Sequence, residues 1–223
     1  MTANVFDLER DAADDPPPPL LPGQEWANAL THGIAAIAAL IIGGGLSVAA
    51  VGKDAFLAFA CLAYVGSAAG TFASSTLSHA IHRQPWLNRF RAWDQAMIYL
   101  MIAGTYTPIA VVYAPPGVRT PLLVAMWAAA WSGFIAKVLL RHRINSIGTA
   151  SYLALGWLPA IPLAGNVPQP LVAGMLAGGL LYTIGVAFLL NDRKFPYFHA
   201  VWHLFVMAAA LVHFVAIQRY VVG

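Results

Sequence analysis

The sequence predicts an all-α integral membrane protein, built as a bundle of seven transmembrane helices. Of its 223 residues, 60% are hydrophobic and only 9% are charged, and the mean hydropathy is +0.69. A soluble domain typically carries about 25% charged residues. Seven apolar segments reach the roughly 20 residues that a helix needs to cross a bilayer core. The composition therefore excludes a water-soluble domain.

Short polar or proline-containing segments separate the predicted spans. The pair Lys53-Asp54 and the polar stretch 82–91 are two of them, because charged residues, proline and glycine mark turns. Pro159 and Pro162 are expected to kink the fifth span, which helices in membranes tolerate. The spans are placed near residues 26–50, 54–80, 93–113, 119–140, 147–165, 170–190 and 199–219.

Residues 1–24 are predicted to form a disordered, acidic cytoplasmic tail that precedes a transmembrane domain over residues 25–223. Six of the nine acidic residues lie in the first 25 positions, around four prolines at 16–19. The segment lacks the basic and apolar regions of a signal peptide. Glu25 and Asn28, at the start of the first span, are attributed to helix capping and interface anchoring.

The lysines and arginines predict how the bundle is oriented in the inner or plasma membrane. Nine of the twelve lie on the side of the N-terminus, and only Lys53, Arg119 and Arg219 lie on the other. Because basic loops remain in the cytoplasm, the N-terminus is expected inside and the C-terminus outside. The basic residues form no patch with interleaved aromatic side chains, so nucleic acid is not an expected partner.

Ionisable residues within membrane spans are rare and usually functional. In the predicted orientation His79 ends the second span, Asp94 begins the third, and His199 and His203 occupy the first turns of the seventh. Residues four apart share a helix face, so His199 and His203 can bind one metal ion with His79 as a third ligand. Three nitrogen ligands and an open fourth position are typical of catalytic zinc.

Asp94 and Ser75 are candidate catalytic residues beside these histidines. Asp94 can orient a zinc-bound water, accept its proton or hold a ligand histidine, and Ser75 lies one turn before His79 and can hydrogen-bond the water or a substrate carbonyl. Other interpretations stay open. The histidines can make interhelical hydrogen bonds, Ser75 can be a small interface residue, and Asp94 can pair with Arg89 or Arg91.

Three further histidines are assigned lesser roles. His82 follows His79 by three residues and can replace it as a ligand, although its position suggests the membrane surface. His32, in the first span, can line the same cavity. His213 lies about 15 Å along the helix from His203, too far to share one ion, and is interpreted as a packing residue.

The pattern resembles the haemolysin III proteins, the bacterial branch of the progestin and adipoQ receptor family. That family has Ser-x-x-x-His in the second span, an aspartate in the third and His-x-x-x-His in the seventh. Here it falls on Ser75, His79, Asp94, His199 and His203. The resemblance covers the chain after residue 24, and it is carried by EWANALTHG at 25–33, SSTLSHAIHR at 74–83, FRAWDQAMIYLMIAGTYTPIA at 90–110 and FPYFHAVWHLFVMAAALVHF at 195–214.

The resemblance implies a zinc ion held by the three histidines near the cytoplasmic face, with Asp94 and Ser75 around its water. The related alkaline ceramidases share this constellation and hydrolyse a lipid amide. The leading hypothesis is therefore a zinc-dependent hydrolase that takes a lipid amide or ester from the cytoplasmic leaflet. The alternative is a receptor or membrane-stress protein in which zinc is structural. A retinal protein is nearly excluded, because no lysine lies in the last span.

Overall fold

The computed structural model describes residues 22–139 and 145–223, except for the side chains of 145–147. Most of the predicted tail and the basic residues Arg141 and Arg143 lie outside the described residues. Within these ranges the chain is helical without a β-strand, which confirms the all-α class. The helices are α1 (Pro22–Val51), α2 (Ala55–Ala80), α3 (Trp86–Tyr113), α4 (Pro116–Val138), α5 (Asn145–Trp157), α6 (Ala160–Leu163), α7 (Gln169–Leu189) and α8 (Phe198–Ile217), which continues as a π-helical turn (Gln218–Val222).

Six of the described helices, α1 to α4, α7 and α8, are long and apolar enough to cross a membrane. The fifth predicted span corresponds to two shorter pieces, α5 and α6. The break falls at Pro159, which occupies the N-cap position of α6. Proline lacks a backbone N–H and clashes with the preceding turn, so the predicted kink becomes a full interruption of the helix.

Helix α3 begins at Trp86, seven residues before its predicted start at 93. The polar stretch was expected to be a loop, but its aromatic residues support a first amphipathic turn. The Trp86 and Phe90 rings stack 6.2 Å apart, and the Arg89 guanidinium lies 5.0 Å from the Trp86 ring. Arginine over an aromatic face stabilises such an interfacial segment.

The first three helices pack side by side in sequence order, α4 packs on α3, and α8 packs on α7 and α1. Close approach depends on small residues. At Gly104 of α3 an added Cβ would overlap the Ser67 hydroxyl oxygen of α2. Large apolar side chains such as Ile41, Val48 and Leu62 remain exposed on the outside of the bundle. An apolar exterior around close-packed small residues is typical of membrane bundles.

The up-and-down course of the helices brings one set of helix ends together, and we call this set the histidine end. It contains the starts of α1, α3 and α8 and the ends of α2 and α4. A cavity of about 2030 Å³ includes this end, and all eight helices contribute residues to its lining. Along α3 its lining extends from Leu87 to Ile109, which is about 33 Å of helix.

Candidate metal centre

His79, His199 and His203 converge at the histidine end. One ring nitrogen of each lies within 4.8 Å of the others. His79 is on the last turn of α2, and His199 and His203 are on the first two turns of α8, where a spacing of four puts them on one face. The predicted meeting of the three histidines is confirmed. His82 is exposed and is not in this group.

Two of the three histidines are anchored by carboxylates. The Nδ1 atom of His79 lies 2.6 Å from the Oε2 of Glu25 on α1. The Nδ1 of His199 lies 2.8 Å from the Oδ2 of Asp192, in the turn between α7 and α8. A carboxylate accepts a hydrogen bond from Nδ1–H and so fixes the tautomer in which Nε2 presents its lone pair.

The third histidine is anchored by the backbone of α1. The Nδ1 of His203 lies 3.2 Å from the carbonyl oxygen of Asn28 and 3.1 Å from the Thr31 hydroxyl oxygen. His203 is only 1% exposed, so this contact holds a buried ring. All three rings thus use Nδ1 for protein contacts. Metal-binding histidines nearly always donate their other ring N–H to a carboxylate or carbonyl in this way.

The donor set suits zinc. The Nε2 of His79 is buried and has no hydrogen-bond partner among the described residues. A buried nitrogen without a partner is unfavourable unless something binds it. Three imidazole nitrogens within reach of one another, each oriented through Nδ1, fit a zinc ion with one further position open.

Glu25 and Asp192 were missed as site residues by sequence reasoning, which attributed Glu25 to capping and anchoring. Both are anchors of a histidine ring. A signal for the first was present, since Glu25, Asn28 and His32 are spaced by three and four residues and share one face of α1. Asp192 carries no local signal, because its contact depends on the turn before α8. That turn includes Tyr197 in a left-handed conformation, φ 63°.

Ser75 and Asp94, the candidate catalytic residues, both line the cavity that the three histidines line. Ser75 is 1% exposed, and its hydroxyl has no hydrogen-bond partner among the described residues. Asp94 accepts a hydrogen bond from the Ser78 hydroxyl through Oδ2, at 3.1 Å. Among the described residues Asp94 makes no ion pair, so its alternative pairing with an arginine is not seen. Arg91 instead lies 3.8 Å from Oε1 of Glu25.

The remaining buried histidines have different surroundings. The His32 ring stacks on that of His203, with centroids 3.6 Å apart and planes 7° from parallel. His32 therefore packs against the face of the His203 ring from the α1 side. The Nε2 of His213 lies 3.2 Å from the carbonyl oxygen of Met175 on α7. This contact agrees with the packing role expected for His213.

Known proteins similar to this chain point to one family. A family model described as haemolysin-III related matches residues 22–214. Hemolysin-3 of Bacillus cereus is 34% identical over 207 residues, covering 89% of this chain and 92% of that protein. The hemolysin-3 homolog of Bacillus subtilis strain 168 is 30% identical over 203 residues, covering 89% and 95%. The human monocyte to macrophage differentiation factor is 27% identical over 199 residues, covering 87% and 83%. No solved structure matches the chain significantly.

Proposed function

This chain belongs to the haemolysin III family of membrane proteins, and we propose that it is a zinc-dependent hydrolase that cleaves a lipid amide or ester. The observation that carries the proposal is the set of three converging histidines, each with Nδ1 held by a protein acceptor. A long cavity with a mainly apolar lining leads to them. A polar site at the end of an apolar cavity suits a ligand with a reactive head and a hydrocarbon chain.

The protein contributes to zinc binding by orienting the histidine rings. His79, His199 and His203 would hold the ion, with Glu25 and Asp192 keeping two of the rings in place. When bound, zinc supplies a Lewis acid that polarises a carbonyl group and makes water a nucleophile near neutral pH. The anchors hold the Nδ1 atoms and orient the Nε2 atoms toward one point, so little reorganisation is needed for binding.

We assign proton transfer to Asp94 and hydrogen bonding to the substrate carbonyl to Ser75. Asp94 would take the proton from the attacking water and deliver it to the leaving nitrogen or oxygen, as a general base and then an acid. The hydrogen bond from Ser78 holds its carboxylate toward the cavity. The Ser75 hydroxyl, which has no partner in the described part of the chain, would donate to the carbonyl oxygen of the substrate as negative charge develops there.

The membrane arrangement is part of the proposal. We assign seven spans over residues 25–223, with the broken segment of α5 and α6 as the fifth, and an acidic tail over 1–24. The excess of basic residues on the N-terminal side, nine against three, supports a cytoplasmic N-terminus in the inner or plasma membrane. The histidine end would then face the cytoplasmic leaflet, and the lipid substrate would enter from the bilayer.

The test distinguishes a catalytic zinc site from a purely structural one. Purified protein is assayed for zinc content and for hydrolysis of ceramide and of phospholipids, in wild type, Asp94→Ala and Asp54→Ala. Asp54 lies at the other end of α2, where it accepts a hydrogen bond from the Leu57 backbone at 2.8 Å. We expect stoichiometric zinc in all three proteins and turnover in wild type and Asp54→Ala, with turnover reduced at least about 100-fold in Asp94→Ala.

Two results would count against this function. Wild-type protein without stoichiometric zinc would remove the metal site altogether. Full zinc in every variant without turnover of any lipid would support the alternative, a receptor or membrane-homeostasis protein in which zinc only braces α2 and α8.

A further inference from the structure

Lys137, near the end of α4, is buried inside the bundle. It is 7% exposed, whereas every other lysine and arginine in the described ranges is intermediate or exposed. Helix α4 turns most of its surface outward, and its buried residues are Met126, Ala130 and Lys137. A lysine near a helix end normally extends to the membrane surface. This one points inward and lines the cavity.

The ammonium group of Lys137 has no anionic partner in the part of the chain that the structure describes. Its Nζ donates one hydrogen bond, to the Oε1 of Gln95 at 3.1 Å. Within the described residues no carboxylate forms an ion pair with it. The C-terminal end of α4 favours a nearby cation, but an ammonium has three donors, and a buried charge without a partner is unfavourable. The side chain is suited to bind an anion in the cavity.

Lys137 lies at the histidine end, where the three histidines also lie. Its partner Gln95 follows Asp94, which accepts a hydrogen bond from Ser78, the neighbour of His79. These contacts run from Lys137 through the start of α3 to the residue next to His79, and so link the lysine to the histidines. Three carboxylates line the cavity. Glu25 and Asp192 are engaged by histidines, and Asp94 accepts a hydrogen bond from Ser78 and forms no ion pair with Lys137 among the described residues.

We propose that the cavity selects acyl amphiphiles with an anionic headgroup, whose carboxylate or phosphate binds Lys137 while the acyl linkage lies at the histidines. This substrate class rests on the proposed hydrolase function. Its simplest amide member is N-palmitoylglycine. Hydrolysis breaks the C–N bond, places the hydroxyl of water on the acyl carbon and its remaining proton on nitrogen, and yields palmitic acid and glycine.

The experiment measures binding rather than turnover. Full-length protein in neutral detergent is titrated with three palmitoyl compounds, namely N-palmitoylglycine, the uncharged N-palmitoylethanolamine and the phosphate-bearing 1-palmitoyl lysophosphatidic acid. Wild type is expected to bind at least one anionic compound about tenfold more tightly than the neutral amide, which is the effect of one charge-assisted hydrogen bond. The tighter of the two anions identifies carboxylate or phosphate as the preferred headgroup.

Two lysine variants show whether Lys137 is the source of the anion preference. Lys137→Gln should lose the preference for the anion and keep its affinity for N-palmitoylethanolamine. Lys53→Gln removes the same charge at the opposite end, where its Nζ donates to the Gly223 carbonyl at 2.9 Å, and should leave the preference intact. Equal affinity of wild type for all three compounds would overturn the proposal, as would a preference that survives Lys137→Gln. If Lys137→Gln does not fold, the wild-type comparison decides.

Zinc content and ceramide turnover, measured on the same preparations, keep the two proposals apart. Zinc and turnover of a neutral amide without anion preference would overturn only the substrate class. Anion preference in a protein that lacks zinc and turnover would overturn only the hydrolase function and leave an anionic-lipid binding site.

Discussion

His203 and His213 both lie on α8 and both are buried, yet their surroundings differ. Around His203 two more histidines bring a ring nitrogen within 4.8 Å, and an α1 carbonyl holds its Nδ1. Around His213 the structure has a carbonyl of α7 at 3.2 Å and a glycine, Gly178, against the ring. Burial is therefore common to both histidines, while convergence of nitrogen donors is confined to the first half of the helix.

The difference shows that burial of a histidine in a membrane helix is not by itself a sign of a metal site. A ligand histidine needs two things at once, further donors aimed at the same point and an acceptor on its other ring nitrogen. His203 has both. His213 has a single carbonyl contact, made by Nε2 between two helices. Its Nδ1 is buried without a hydrogen-bond partner in the described part of the chain, and no other histidine there converges on it.

The largest expected effect separates these two histidines directly. His203→Ala should lose stoichiometric zinc, because only two of the three nitrogen ligands remain. His213→Ala removes the same side chain ten residues further on and should keep zinc. Metal content of the purified proteins, measured after gel filtration, checks both outcomes. Loss of zinc from both variants would show that the two halves of α8 are not independent.

A smaller effect is expected from the anchors of the rings. Glu25→Gln and Asp192→Asn leave all three proposed zinc ligands in place but weaken the contacts at 2.6 Å and 2.8 Å that orient His79 and His199. Loss of such an anchor typically lowers metal affinity about 10–100-fold. Competition with a zinc chelator measures the change, and Asp54→Asn at the far end serves as the control. Unchanged affinity in both variants would mean that the carboxylates do not orient the ligands.

The smallest effect on zinc is expected where His213 packs. At Gly178 an added Cβ would overlap the Nε2 of His213, so Gly178→Ala should force α7 and α8 apart. We expect a loss of about 1–3 kcal/mol in stability, seen as a lower Tm, with unchanged zinc affinity. Gly44→Ala is the control, since nothing lies within 4 Å of its added Cβ. A weaker zinc site in Gly178→Ala would contradict the separation of the two regions.

Much of the site was accessible from sequence because its main signals are local. The spacing of His199 and His203 gives one helix face, and the positions of His79 and Asp94 within their apolar segments give their depth. Local signals were weaker at helix ends. The early start of α3 at Trp86 depends on how the aromatic side chains of its first turn pack. At Pro159 the sequence predicted a kink, and the structure has a full break.

The helical class, the membrane-length segments and the three histidines are predictable from the sequence, because helix period and hydrophobic length are properties of a single segment. The partners of the side chains are set by tertiary packing. Glu25 meets His79 across 54 positions of the chain, and Lys137 meets Gln95 across 42. Such contacts depend on how each helix is rotated about its axis and which neighbour it faces, and packing between helices sets both.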